Sequence, residues 1–310
     1  MKYREASFAI FGLGAGAASF VRNGFTPGFR VAASAVLQPL NSYTRFPEYH
    51  FLDREIAALL SDRPSPSVLP RLLDIGSPKL FGFHLARRYP VTVVLTDISP
   101  LNIEPYKKMW TALRSGARGR VVFETRDARR LTDPDDAYDA VYAMSVLEHI
   151  EGTAGDTASV EEMIRVTKPG GLLAFSVPFG PVYQEQTIRG IAHAVERTER
   201  DTLHFFQRIY DPVQFERRLR RPLLGRIDFE RVRTIDRRPS ALLRGCHFLR
   251  GHLPESILTG LGFLNPFLSL ALNRDRAGVV LPEIASYGPI HRFGDIFADL
   301  VYAGRKAPKA

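Results

Sequence analysis

The sequence has one cysteine, Cys246, in 310 residues. A lone cysteine excludes an internal disulfide, a cysteine-ligated zinc site and a redox pair, and it points to a reducing, intracellular setting. Long apolar runs are also missing. Ser7–Val21 is uncharged but short and carries Gly12, Gly14 and Gly16, while Ser256–Asn273 is broken by Gly260, Gly262, Asn265 and Pro266. A membrane-spanning helix needs about 20 mostly apolar residues. Lys2 and Arg4 ahead of the first run resemble the start of a signal peptide, but Glu5 interrupts the basic region and the glycines make a poor helix. An N-terminal arm or lid is the expectation there. A third absence concerns acids: none occurs between Glu5 and Glu48. Gly12-Leu-Gly14-Ala-Gly-Ala17 fits the dinucleotide fingerprint, yet that site needs a full helix after the glycines and an acid about 20 residues on for the ribose. Asn23-Gly24 follows after little more than a turn. A nucleotide-dependent oxidoreductase is therefore the weakest of the readings kept.

Apolar residues make up 45% of the chain and charged residues 24%, so it has the means to bury a core. From about Ser61 to Pro178, strand-like and helix-like segments alternate. Arg71–Gly76, Val91–Asp97, Gly119–Thr125, Tyr138–Met144 and Leu172–Val177 read as strands, with helices at Leu80–Arg88, Ile103–Ser115 and Val160–Thr167. Short crossovers between such strands predict a parallel sheet covered on both faces. Gly225–Ile235 and Phe297–Ala303 read as two further strands, and Arg189–Arg221 as an arginine-rich helix. The expected fold is α/β: a doubly wound, mostly parallel sheet. Four regions are expected: an N-terminal arm over 1–60, a core over 61–239, an apolar helical insert over 240–291, and a closing strand with a basic tail over 292–310.

Ligands of such sheets bind beyond the carboxyl ends of the strands. Asp74, Asp97 and Asp127 all fall at such ends and so face one crevice. Gly76 permits close approach of the backbone to a ligand. Asp97 suits the two hydroxyls of a ribose, Asp127 the amino group of an adenine, and Asp74 an ammonium, directly or through water. The set describes an adenosine with an amino-acid tail and no phosphate, since no glycine-rich phosphate loop follows the first strand. Taken singly, each aspartate is as well explained as a helix cap or turn residue.

At these residues the chain resembles the class I S-adenosylmethionine-dependent methyltransferases. The resemblance rests on Leu72-Leu-Asp-Ile-Gly76, Val94-Leu-Thr-Asp-Ile98, Thr125-Arg-Asp-Ala128, Tyr138–Ile150 and Arg165-Val-Thr-Lys-Pro-Gly-Gly171. The run from Tyr138 to Gly171 looks like the small-molecule branch. The resemblance implies a Rossmann-like sheet of about seven strands with the last antiparallel, and S-adenosylmethionine as cofactor, held by Asp74, Gly76, Ser77, Asp97, Ile98, Asp127, Ala128 and Ser145. It implies in-line transfer of a methyl group, for which the protein supplies alignment and a dry site. The general base for a hydroxyl or protonated amine is expected near the ends of strands four and five, with His149, Tyr183 and His193 as candidates and Glu148 and His204 beside them. No residue spacing suggests a metal. One departure is plain: only the first glycine of the family's acid-x-Gly-x-Gly-x-Gly loop is present, because Pro78 and Leu80 replace the others. That departure keeps a second reading open, a catalytically impaired binding module of methyltransferase shape.

Acceptor classes narrow by absence. Strand four is followed by Ser145-Val-Leu-Glu148, not by the Asn/Asp-Pro-Pro-aromatic loop of nucleic-acid amino-methyltransferases. Cytosine-C5 chemistry needs a thiolate near strands four or five, and Cys246 lies far along the chain. A small or lipid-linked acceptor, methylated at oxygen, is the expectation. Residues 191–250 hold 14 Arg, no Lys and 8 acids, which is +6 of the chain's +9. Many of these charges alternate in sign and read as ion pairs on helix faces. The rest point to an anionic acceptor, or to peripheral contact of the apolar insert with an anionic membrane from the cytoplasmic side.

Overall fold

The computed structural model describes residues 45–62, 68–189, 203–236, 275–276 and 298–308. Helix α1 (Arg45–Ser61) leads into strand β1 (Arg71–Ile75), α2 (Leu80–Arg88), β2 (Thr92–Asp97), α3 (Pro100–Leu113) and β3 (Arg120–Thr125). Strand β4 (Tyr138–Met144) ends in a short 3-10 turn, Leu147–His149, before α4 (Gly155–Val166) and β5 (Thr167–Phe179). A hairpin follows, β6 (Gln184–Arg189) with β7 (Leu203–Ile209), then three short helical turns, Pro212–Phe215, Glu216–Arg220 and Arg221–Leu223. Strands β8 (Ile227–Asp236), β9 (Asp275–Arg276) and β10 (Ala298–Lys306) complete the described chain.

The main sheet has the order β3-β2-β1-β4-β5-β10-β8-β9. Strands β3, β2, β1, β4 and β5 run parallel, and β10 enters antiparallel between β5 and β8. Apart from the two-residue β9, this is the expected seven-stranded sheet with its last strand reversed. The order turns outward on either side of β1 and β4, so the crevice of a doubly wound sheet opens where those two strands end.

Alternation along each strand separates two apolar layers. Leu72, Val93, Leu95, Ala140 and Tyr142 face α1, α2 and α3, whereas Leu73, Ile75, Val94, Val141 and Ala143 face α4 and the turns after β7. Burial on both faces explains why β4 is apolar almost throughout, with a single charged residue, Asp139. Helix α1 belongs to the first layer: Tyr49 stacks on Phe81 with centroids 4.9 Å apart, and Phe81 meets Tyr142 edge-on at 5.7 Å. Tyr49 and Phe51 of this helix thus belong to the core.

One expectation is corrected. The arginine-rich stretch Arg189–Arg221 is not one helix. Its described part is strand β7 up to Ile209 and short turns only from Pro212 onward. Pro78 precedes the N-cap Lys79 of α2, and its carbonyl accepts the Phe81 N–H at 3.3 Å. Residues 1–44, and 240–291 apart from β9, lie outside the described residues, and with them the Gly12–Ala17 segment, Cys246, the apolar insert and all of the expected arm that precedes α1.

Candidate active site

The turn after β1 is built around Asp74, which is wholly buried. Its Oδ1 accepts the Ser77 N–H at 2.8 Å and lies 3.6 Å from the Lys79 ammonium, while Oδ2 closes no hydrogen bond at ordinary distance. Burial pushes the carboxyl up to about 6, outweighing the downward pull of Lys79, the Ser77 N–H and the nearby Tyr142 hydroxyl. Gly76 has φ +65°, and a Cβ there would come within 2.9 Å of a Val146 methyl. A side chain would be strained by both the backbone and the space, so this position needs glycine. Ser77 is buried too. Its hydroxyl oxygen accepts the Met144 N–H at 2.9 Å and ties the turn to the end of β4. Its side chain therefore holds the loop together, and it is not presented to the crevice.

One residue beyond Met144, Ser145 has φ 49°, a left-handed conformation rare for serine, and its N–H donates to Ser176. Strain of this kind gathers at ligand-binding positions. At the end of β2, Asp97 is half-buried. Its Oδ1 accepts the Ser99 N–H at 3.1 Å and the Asn102 amide at 2.9 Å, and Oδ2 accepts no bond among the described residues. Asp97 does not cap α3; the Ser99 hydroxyl does that. Ile98, beside it, is 54% exposed. Tyr106 on α3 feels the charge of both Asp97 and Asp74 and, above all, burial, which together raise its hydroxyl to about 12. Asp74, Gly76, Asp97 and Tyr106 thus converge at the ends of β1 and β2.

Asp127 differs. Arg129 closes on both its oxygens, Nε on Oδ1 at 3.0 Å and Nη2 on Oδ2 at 2.7 Å, and the Arg129 N–H adds a bond to Oδ1. These bonds hold the carboxyl below the usual range. An adenine amino group would have to compete with Arg129 there. Ala128 packs against the second apolar layer.

On the β4 side, His149 closes the 3-10 turn. Its Nδ1 lies 2.7 Å from the Phe206 carbonyl of β7, and its ring packs on Phe206 at 5.2 Å. The carbonyl can only accept, so a neutral His149 carries its proton on Nδ1 and its lone pair on Nε2. Nε2 is 3.7 Å from the buried Glu148. Tyr183 donates to Glu185 at 2.7 Å, with its hydroxyl raised chiefly by burial, and it sits near Arg208 and Arg218, not beside Asp74. His193 lies outside the described residues. His204 is half-buried on β7.

Residues 73–171 match a family model described as a methyltransferase domain. The matched residues reach from β1 into β5, and the sheet they belong to, with β10 reversed between β5 and β8, has the class I order. The chain has the class I methyltransferase fold. Over 86 residues it is 40% identical to the demethylmenaquinone methyltransferase of Mycolicibacterium paratuberculosis, a match covering 26% of this chain and 36% of that relative. The chain therefore aligns with about a third of that relative's length. Among solved structures it is similar to a SAM-dependent methyltransferase from Methanosarcina mazei (15% identity, 81% of this chain and 98% of that one, TM-score 0.48). It is also similar to the phosphoethanolamine N-methyltransferase 2 of Haemonchus contortus (18% identity, 82% and 53%, TM-score 0.46).

The fold of the methyltransferase domain implies S-adenosylmethionine as its cofactor, and the residues present fit that group. The unfilled acceptor Oδ2 of Asp97 suits a ribose hydroxyl, and exposed Ile98 offers an apolar surface to an adenine. Asp74 Oδ2, buried and without a hydrogen bond, suits an ammonium reached through water. Three residues of the methyltransferase domain and its hairpin had escaped the sequence reading: Lys79, Tyr106 and Arg208. The first carried a signal, a lysine set among apolar residues from Pro78 to Phe83. The other two carried none, because a tyrosine on a helix and an arginine in a basic stretch are ordinary.

Proposed function

We propose that the protein is an S-adenosylmethionine-dependent methyltransferase that methylates a small or lipid-linked acceptor at oxygen. The convergence of Asp74, Gly76 and Asp97 at the ends of β1 and β2 carries this reading, because it offers separate acceptors for a ribose and an amino-acid tail in one crevice. A cofactor bound there supplies a methyl group on a positively charged sulfur. Held at its ribose by Asp97 and at its tail by Asp74, the cofactor would offer an activated methyl for in-line transfer to the acceptor oxygen, leaving a neutral thioether.

His149 is the proposed general base. The Phe206 carbonyl fixes the proton of the neutral ring at Nδ1, so Nε2 is the atom that takes the acceptor's proton. Tyr183 belongs to the wall formed by the β6–β7 hairpin and serves acceptor fit in this reading. The likeness to a demethylmenaquinone methyltransferase supports a small-molecule acceptor. Transfer of labelled methyl from S-adenosylmethionine into an organic-solvent extract tests the reading. His149→Gln should lower turnover roughly 100- to 10,000-fold and leave cofactor affinity unchanged. Equal turnover by the variant contradicts the assignment of the base.

Pro78 and Leu80, standing where the loop glycines are expected, favour one other reading, a binding module without turnover. Saturable cofactor binding with no labelled product from any extract would support it.

A further inference from the structure

The first loop departs from its family at Pro78 and Leu80, and between them stands Lys79. Its side chain is 2% exposed and turns inward beneath the loop. The ammonium donates to the Ser77 carbonyl at 2.8 Å and to the Thr96 carbonyl at 2.6 Å. It lies 3.6 Å from Asp74 Oδ1. Thr96 also accepts the Gly76 N–H at 3.1 Å, and its hydroxyl donates to the Asp74 carbonyl at 2.7 Å. One cation therefore pins the turn after β1 to the end of β2, where the cofactor's ribose and tail would both arrive.

We propose that Lys79 is a positioning residue for the cofactor: it fixes the proline-containing loop through two carbonyls and keeps Asp74 charged to receive the amino-acid tail. A lysine buried for packing alone would be costly, since an ammonium out of water needs compensation. Here two carbonyls and a carboxylate provide it. The benefit returns to Asp74, whose burial favours the neutral acid. The groups facing Asp74 are Lys79 and Ser77 from its own loop, Tyr142 from β4 and Tyr106 from α3. Lys79 is the only cation among them. Asp74 Oδ2, buried with the Tyr142 hydroxyl nearby and closing no hydrogen bond at ordinary distance, is the atom left for the tail.

The inference rests on the cofactor reading and is separable from it by two ligands. S-adenosylhomocysteine carries the amino-acid tail and methylthioadenosine lacks it. Titration of both into wild type, Lys79→Gln and Lys79→Arg reads the tail alone. Glutamine still offers a donor to the carbonyls but no charge. The expected result is roughly tenfold weaker binding of S-adenosylhomocysteine to Lys79→Gln, because without its cation the buried Asp74 carboxyl passes largely into the neutral form, and about one pKa unit is tenfold. Methylthioadenosine should bind as before, and Lys79→Arg should retain the preference. Equal weakening of both ligands, no weakening, or a stronger preference for the tail would overturn the role of Lys79. Failure of wild type to bind either ligand would overturn the cofactor reading itself. Wild type gives a second measurement should the glutamine variant not fold: its preference for the tailed ligand should fade as pH falls through about 6. A preference constant across that range contradicts the proposal.

Discussion

At the scale of single residues, Asp97 and Asp74 make opposite demands on the chain. Asp97 is half-buried and satisfied on one oxygen by Ser99 and Asn102, so losing its carboxylate costs the fold little. Hydrogen bonds from a ribose to a charged group contribute roughly 1.5–3 kcal/mol each. Asp97→Ala should weaken S-adenosylmethionine binding roughly 10- to 100-fold with little change in stability; calorimetric titration checks it, and unchanged affinity refutes the ribose assignment. Asp74 is buried, and its folded-state carboxyl stands at about 6 against an ordinary value of 3.8. Between these values the folded protein holds the proton more tightly than the unfolded chain. Its contribution to stability is therefore fully present below about pH 4 and lost as pH rises through about 6, by an amount on the order of 3 kcal/mol. Denaturant unfolding of Asp74→Asn, compared with wild type at both ends of that window, should show this decline removed. An identical decline in both proteins contradicts it. Asp74 and Asp97 were legible in the sequence because each closes a short apolar run that reads as a strand. Their difference was not, because burial is set by packing, Tyr142 and Tyr106 reach Asp74 from β4 and α3, and no local pattern shows that Lys79 turns inward.

At the scale of elements, the β6–β7 hairpin is held to the methyltransferase domain by charge. Arg208 on β7 is buried, and its two terminal nitrogens donate to the Ile150 and Gly152 carbonyls at 2.6 Å each. Beside it Asp156, wholly buried at the start of α4, accepts from Tyr210 at 2.8 Å and from Arg218 through both oxygens at 2.8 Å. Through this cluster the hairpin reaches the loop after β4, and the Phe206 carbonyl meets His149. Removing one member of a buried ionic cluster leaves its partners uncompensated, at a cost of about 3–5 kcal/mol. Asp156→Ala should therefore lower unfolding stability by about that amount, and a loss under 1 kcal/mol would show that the cluster does not hold the hairpin. The helix expected over Arg189–Arg221 fails here for a physical reason. Mixed arginines and acids, as in Glu216-Arg-Arg-Leu-Arg220, suit a helix face, while Leu203–Ile209 becomes a strand through pairing with β6, a partner no local pattern reveals. Strands β1, β2 and β4 were legible because burial on both faces leaves near-continuous apolar runs.

At the scale of the whole molecule, the parallel sheet covered on both faces followed from alternating strands and helices with short crossovers. The reversal of the last strand needed the resemblance, since an antiparallel strand leaves no mark in composition, and its insertion between β5 and β8 came only with the structure. The charge looks different once placed. Among the described residues Arg208, Arg218, Arg220 and Arg231 are engaged by Glu185, Asp156, Glu230 and Glu55, so this part of the basic excess serves internal ion pairs. No helix among the described residues is long and apolar enough to cross a membrane. The central claim is that the crevice at the ends of β1 and β2 holds S-adenosylmethionine. Calorimetric titration of the full chain with that compound tests it most directly. Saturable binding of one molecule per chain is the predicted result, and no heat of binding at millimolar ligand would contradict the account.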